Sequence, residues 1–140
     1  MNETPNAAFN FVDYKILSLS YTSPNGENEG LLIKFEPRGI YNEKQGQFEL
    51  TLRFIGKETE NSQPTIDLVS MAIFIFKPNL PFSNIPPFFY KNAIAIFFPY
   101  LRAFISTLTL QCNSKILLLN VMNLMNLEQP FREATTCISE

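Results

Sequence analysis

One stretch limits what this chain can become: Ile85 to Leu110, IPPFFYKNAIAIFFPYLRAFISTLTL. It is the most apolar part of the sequence, only Lys91 and Arg102 carry charge in it, and Pro99 sits near its middle. Ordinary strands are far shorter and richer in β-branched residues, so this stretch is predicted to be helical. A helix of about 25 residues runs ~37 Å at 1.5 Å per residue. Pro99 removes one hydrogen bond and clashes with the turn before it. Either the helix kinks there, or a short helix ends near Phe98 and Pro99 occupies the first turn of a second one. We read Pro99 as the start of the main helix. Leu101, Ile105 and Leu108 then form one stripe with Phe104 beside it, and Arg102, Ser106 and Thr109 share a more polar face. Ala93 to Leu110 is apolar enough to raise the question of a membrane span. Arg102 falls in its middle, where an Arg costs about 2.5–3.5 kcal/mol on insertion scales, so no membrane insertion is expected.

The chain before that helix reads as strands. Phe9 to Tyr21 alternates but slips twice. Phe9 and Phe11 share one phase, Val12, Tyr14 and Ile16 take the other, and Leu17, Leu19 and Tyr21 return to the first. Each slip implies a bulge or bend, or burial on both faces. Ser23-Pro24-Asn25-Gly26 is a turn signal. Leu31 to Phe35 forms a second strand, continuing to Tyr41 past Pro37 if that proline lies at an edge or bulge. Phe48, Leu50, Leu52 and Phe54 alternate with Glu49, Thr51 and Arg53, the pattern of a half-buried strand. Ile66 to Lys77 is a fourth strand with Met71, Ile73 and Ile75 on one side and Ala72, Phe74 and Phe76 on the other, so it is covered on both faces or awaits a partner. Four such strands joined by polar links predict an antiparallel meander or Greek key. After the helix comes ILLLNVMNLMNL, with asparagines at every third position, readable as helix turns or as a loop on apolar surface. Residues 1–8 and 131–140 are expected to be flexible tails of a single domain spanning 1–140.

Charge and composition remove whole classes of function. The net charge is −2, which gives no electrostatic footprint for nucleic acid. Leu68 to Leu127 contains no acidic residue, and its only basic residues are Lys77, Lys91, Arg102 and Lys115. So charge-poor a half is expected to bury area against another subunit or to offer apolar surface to a partner. Histidine is absent, which removes the commonest general base and the commonest metal ligand. No triad, clustered cysteines or phosphate-cradling glycine loop can be assembled, so the protein is predicted not to be an enzyme and to need no cofactor. Cys112 and Cys137 suggest free thiols in a reducing compartment, and the N-terminus has neither the basic nor the apolar region of a signal peptide, so a cytoplasmic protein is expected. What remains is 14 phenylalanines, 5 tyrosines and 4 methionines, more large adaptable contact residues than one sheet and one helix need.

In this setting Phe98-Pro99-Tyr100-Leu101-Arg102, followed by Ile105-Ser106, resembles the Phe-Pro-Tyr-x-Arg element that opens the main helix of SecB-type chaperones. Leu119-Asn120-Val121 stands where that family has a Leu-Asn-Leu element. The resemblance spans about Phe9 to Val121. It implies an α+β fold, a four-stranded antiparallel sheet followed by a long helix packed on it. It further implies a tetramer with the main helices sandwiched between sheets, and apolar grooves that hold unfolded chains without ATP or metal. The flanking prolines of the Leu-Asn-Leu element are missing, with Leu117 before it and Asn123 after it. The short remainder of the chain predicts a second helix that is short or absent.

The function expected on this basis is a holdase for unfolded client polypeptides, with a translocation motor or an antitoxin as further partners. The alternative is an adaptor subunit of the same fold whose apolar surface is filled by one fixed protein. Leu31, Ile33, Phe35, Phe74, Phe76, Leu119, Met122 and Met125 are the expected client contacts. Tyr100, Leu101, Phe104, Ile105 and Leu108 are expected at the subunit interface.

Overall fold

In the computed structural model, which describes residues 8–24, 30–119 and 126–138, the strand-like segments build one sheet. β1 is Asn10–Tyr21, β2 Leu32–Asn42, β3 Gln47–Lys57 and β4 Pro64–Ile75. The sheet order is β1-β4-β3-β2-β5, where β5 is Thr135–Ile138. The first four strands pair antiparallel. Of the two arrangements the sequence allowed, this order is the Greek key, since β1 returns beside β4 rather than pairing with β2.

Both slips in β1 are bulges. The register with β4 shifts between Phe11 and Asp13 and again between Ile16 and Ser18, so Val12 and Leu17 are the extra residues. Both are exposed. The bulges keep Phe11, Tyr14, Ile16, Leu19 and Tyr21 opposite Phe74, Ala72, Ser70, Leu68 and Ile66, so one face of the strand stays apolar through each extra residue. At the β2–β3 turn Gly46 has φ 71°, and a Cβ there would lie 2.5 Å from the Phe76 carbonyl oxygen. Only glycine meets both conditions.

The helix α1 runs from Phe88 to Gln111 without interruption, with Pro99 inside it. The expectation that Pro99 starts the main helix is therefore corrected. Ala95, whose carbonyl loses its amide partner, and Pro99 both lie on the exposed side, where water can serve that carbonyl. A proline inside a helix costs about 3 kcal/mol. Burying Phe98, Leu101 and Ile105 around it contributes roughly 1.5–3 kcal/mol each, so packing holds the two halves in one helix. The buried stripe is Phe89, Tyr90, Ala93, Ile94, Phe97, Phe98, Leu101, Ile105 and Thr109, the i, i+4 spacing of a helix laid on a sheet. Thr109, not Leu108, ends it.

Phe89 anchors the packing. Its ring lies 4.6 Å from Phe48, 4.9 Å from Phe9, 5.0 Å from Phe76, 5.5 Å from Phe74 and 5.6 Å from Tyr90. Tyr41 closes the same end of the core. Its hydroxyl donates to the Leu80 carbonyl at 2.8 Å, and burial, then the nearby Glu43, pushes its pKa up to about 12. The opposite face of the sheet is mixed. Val69, Met71, Ile73 and Ile75 are partly exposed on β4. Beside them Arg53 donates to both carboxylate oxygens of Asp67 at 3.0 and 2.7 Å and reaches Glu36 at 3.6 Å.

The expected C-terminal tail is structured as far as the description reaches. The helix α2, Glu128–Glu133, leads straight into β5, which pairs parallel with Gly39–Asn42 of β2. Phe131 is fully buried, 5.7 Å from the Phe48 ring and 5.2 Å from the Tyr90 ring. Gly39 makes room for it: a Cβ there would meet Thr135 Oγ1 at 2.5 Å and Phe131 and Phe48 at 2.9 Å. The second helix is short, as expected.

Two outcomes follow from this packing. Gly39→Ala is expected to lower the unfolding free energy by about 1–3 kcal/mol, the usual cost of overpacking. A urea midpoint unchanged from wild type would show that α2 and β5 accommodate the methyl freely. The Arg53 guanidinium holds the Asp67 carboxyl below its ordinary range. A carboxyl lowered in the folded state stabilises above the unfolded pKa and loses that contribution as pH falls through the folded value. With Arg53 partly exposed, Asp67→Asn is expected to cost about 0.5–1 kcal/mol at pH 7. That gap should close in acid; a gap constant from pH 7 to 2 would rule out the ion pair as its source.

Candidate functional site

The candidate site lies where α1 ends. Cys112 caps the helix and Asn113 turns out of it at φ 58°. The Asn113 amide donates to the Leu110 carbonyl and the Ser114 amide to that of Thr109, both at 3.0 Å. This pair of bonds is the Schellman ending, with asparagine in place of the usual glycine. It reverses the chain so that the following segment runs back along the helix.

Two hydroxyls hold that segment. Thr109 Oγ1 accepts the Leu117 amide at 3.0 Å and lies 3.0 Å from the Ile105 carbonyl, to which it donates. Ser106 Oγ donates to the Leu117 carbonyl at 3.4 Å. Leu117 is thus gripped at both backbone groups, and Leu119 is driven into the core.

Between this segment and the sheet lies a cavity of about 540 Å³, lined by Tyr21, Leu31, Thr65, Ile66, Thr109 and Leu117 among others. That volume is within the range of sites that take small molecules or side chains. Tyr21 lines it, and the Tyr21 hydroxyl is buried with no hydrogen-bond partner among the described residues.

The cavity opens onto β2. Leu31, Ile33 and Phe35 lie side by side there, each half-buried. Leu31 leans over the bare backbone of Gly56, with its Cδ1 3.1 Å from where a Cβ would stand. Ile33 pairs with Gly56, and the ring of Phe35, which pairs with Phe54, lies 5.3 Å from the Phe54 ring. Leu31 belongs to both the cavity lining and the strip, and we treat the two together as the candidate groove.

The expected client contacts divide. Leu31, Ile33 and Phe35 come together at this groove. Phe74 and Phe76 do not: both are buried around Phe89 at the far end of β4, so their assignment to a contact surface is corrected. Leu119 is also core. Met122 and Met125 lie outside the described residues. Tyr21, Thr65, Ile66 and Leu117 were not anticipated. Thr109 was placed with Arg102 and Ser106 on a more polar face, but it is buried and its hydroxyl is consumed inside.

The expected subunit contacts divide in the same way. Leu101 and Ile105 face the protomer's own core. Tyr100 is exposed and its ring meets Tyr14 at 5.1 Å and Phe11 at 5.2 Å. Phe104 and Leu108 are partly exposed. Tyr100 and Phe104 sit beside β1, the end strand of the sheet. By length and composition α1 could cross a membrane, but its buried stripe is used by the sheet.

No protein-family model matches the sequence, and no curated protein matches it. The three-dimensional structure does have a counterpart. The SecB-like chaperone Rv1957 of Mycobacterium tuberculosis, solved in complex with a ChAD peptide from the HigA1 antitoxin, superposes with a TM-score of 0.65. The match covers 80% of this chain and 88% of that one, at 16% sequence identity. The sheet, the long helix and the short second helix described above are the SecB-like fold.

Proposed function

We infer that this protein is a nucleotide-independent holdase: it receives an extended apolar segment of an unfolded polypeptide in the groove and works in the cytoplasm as a homo-oligomer, a tetramer on the family pattern. The observation that carries this reading is the half-buried strip Leu31, Ile33, Phe35, whose first member also lines the cavity at the end of α1. An extended peptide can lay alternate side chains into such a groove while its backbone runs along the strand. The SecB-like fold supports a protein that acts by binding rather than by chemistry. The counterpart structure holds an antitoxin peptide, which makes an antitoxin segment the first client to try, ahead of exported chains delivered to a translocation motor.

At stoichiometric ratio and without nucleotide, the purified protein is expected to slow aggregation of a denatured client. Leu31→Asp with Phe35→Asp should weaken that effect by roughly tenfold, a loss on the order of 1.4 kcal/mol in binding, with the far-ultraviolet spectrum unchanged. Equal protection by wild type and variant would remove the groove from the reading. Binding confined to one peptide among many unrelated clients would favour the adaptor subunit instead.

Tyr100→Glu with Phe104→Glu places two charges on the exposed face of α1 without touching its buried stripe. The assembly is expected to fall to smaller species in size-exclusion chromatography. An unchanged elution volume would show that subunits meet elsewhere.

A further inference from the structure

β5 is an unusual member of this sheet. It has four residues, runs parallel to β2, and exposes Thr136, Cys137 and Ile138. Parallel pairs are slightly weaker than antiparallel ones. Its docking is by backbone: the Gly39 amide donates to the Ala134 carbonyl at 3.2 Å and the Glu43 amide to the Ile138 carbonyl at 2.9 Å. By contrast, the helix before it is anchored through Phe131, which is fully buried. The junction is tied by Thr135 Oγ1, which donates to the Phe131 carbonyl at 2.7 Å. A firmly held helix thus carries a lightly held strand, the kind of element that opens locally at low cost.

The edge that β5 covers belongs to the groove strand. Because Gly39 and Glu43 direct their amides toward β5, the two-residue period of a strand turns positions 33, 35 and 37 the same way. Position 37 is proline and has no amide to offer. The β2 edge is therefore split. The half beyond Pro37 carries the chain's own strand. Among the described residues, no strand pairs with the half that bears Ile33 and Phe35 on that side.

We propose that β5 is a built-in competitor for the β2 edge: it occupies Gly39–Asn42 in the resting chain and yields to the backbone of an extended peptide that enters along the free half at Ile33 and Phe35 and runs on past Pro37 over the residues β5 covers. This rests on the peptide-groove reading and adds regulation to it, because client affinity is then set partly by how readily the C-terminal strand leaves. Among the described residues the strand on this edge is the chain's own, and it is the first occupant to test in trans.

The probe is a fluorescein-labelled peptide of residues 133–138 with serine in place of cysteine, read by anisotropy. It is offered to the full-length chain and to a chain ending at Ala134, both carrying Cys137→Ser where that residue is present. The shortened chain is expected to bind it at least tenfold more tightly, and unlabelled denatured client should displace it. Should the shortened chain fail to fold, Thr136→Pro in the full-length chain withdraws a strand amide and is expected to show the same gain. Affinities within twofold of each other, or binding that denatured client does not displace, would overturn the proposal and leave β5 as a plain edge cover. A full-length chain that never slows client aggregation, beside a shortened chain that takes the peptide and releases it to client, would sink the holdase reading and keep the competition.

Discussion

The structure depends on one aromatic cluster. Phe89, in the first turn of α1, is in ring contact with Phe9, Phe48, Phe74, Phe76 and Tyr90. These come from before β1, from β3, from the end of β4 and from the helix itself. Edge-to-face pairs add about 0.5–1.5 kcal/mol each beyond area burial. They also fix direction, since rings that meet at steep angles cannot slide without losing contact. With its first turn held there, the helix lies along the sheet with Ala93, Phe97, Leu101 and Ile105 in succession beneath it.

Pinning the helix at one end determines what is left open at the other. Around Phe48, α2 adds Phe131 over Gly39 and closes the core. Where α1 terminates there is no comparable aromatic plug among the described residues. The Schellman turn at Asn113 and the grip of Thr109 and Ser106 on Leu117 form a wall there. Leu31, Ile33 and Phe35 remain half-buried on the other side of the opening. The groove is thus a consequence of unequal packing: one end of the sandwich is filled with rings, the other is bounded by hydrogen-bonded backbone.

Some of this was legible in the residues. The phase slips of β1 showed where its pairing is irregular, because alternation along a strand is strict and any departure leaves a mark; the register with β4 decided that they are bulges, at Val12 and Leu17. The alternation Phe48 to Phe54 marked a half-buried strand for the same reason. The Phe-Pro-Tyr-x-Arg element pointed to the SecB-like fold, which the three-dimensional comparison shows independently. Pro99 was misread because local propensity says where a helix is weak, not whether packing on both sides will hold it together. Phe74 and Phe76 were misassigned because β4 is apolar on both faces, and periodicity alone does not say which face the helix will cover. Nothing in TTCI marks a strand, since four residues owe their conformation to the β2 edge and to the Phe131 anchor beside them.

The sequence by itself determined the types of the first four strands and of the long helical stretch, the places where β1 slips phase, the antiparallel core sheet and the lack of histidine, since these depend on residue identity and on periods of two and 3.6. Only the tertiary structure decided that α1 is one helix, which face of β4 is core, that the C-terminal residues complete the sheet, and that Tyr21, Thr65 and Thr109 meet Leu31 at one cavity. Each of those is a relation between residues far apart in the chain. Local propensities differ by less than the energy of burying a single large side chain, so long-range packing decides such relations.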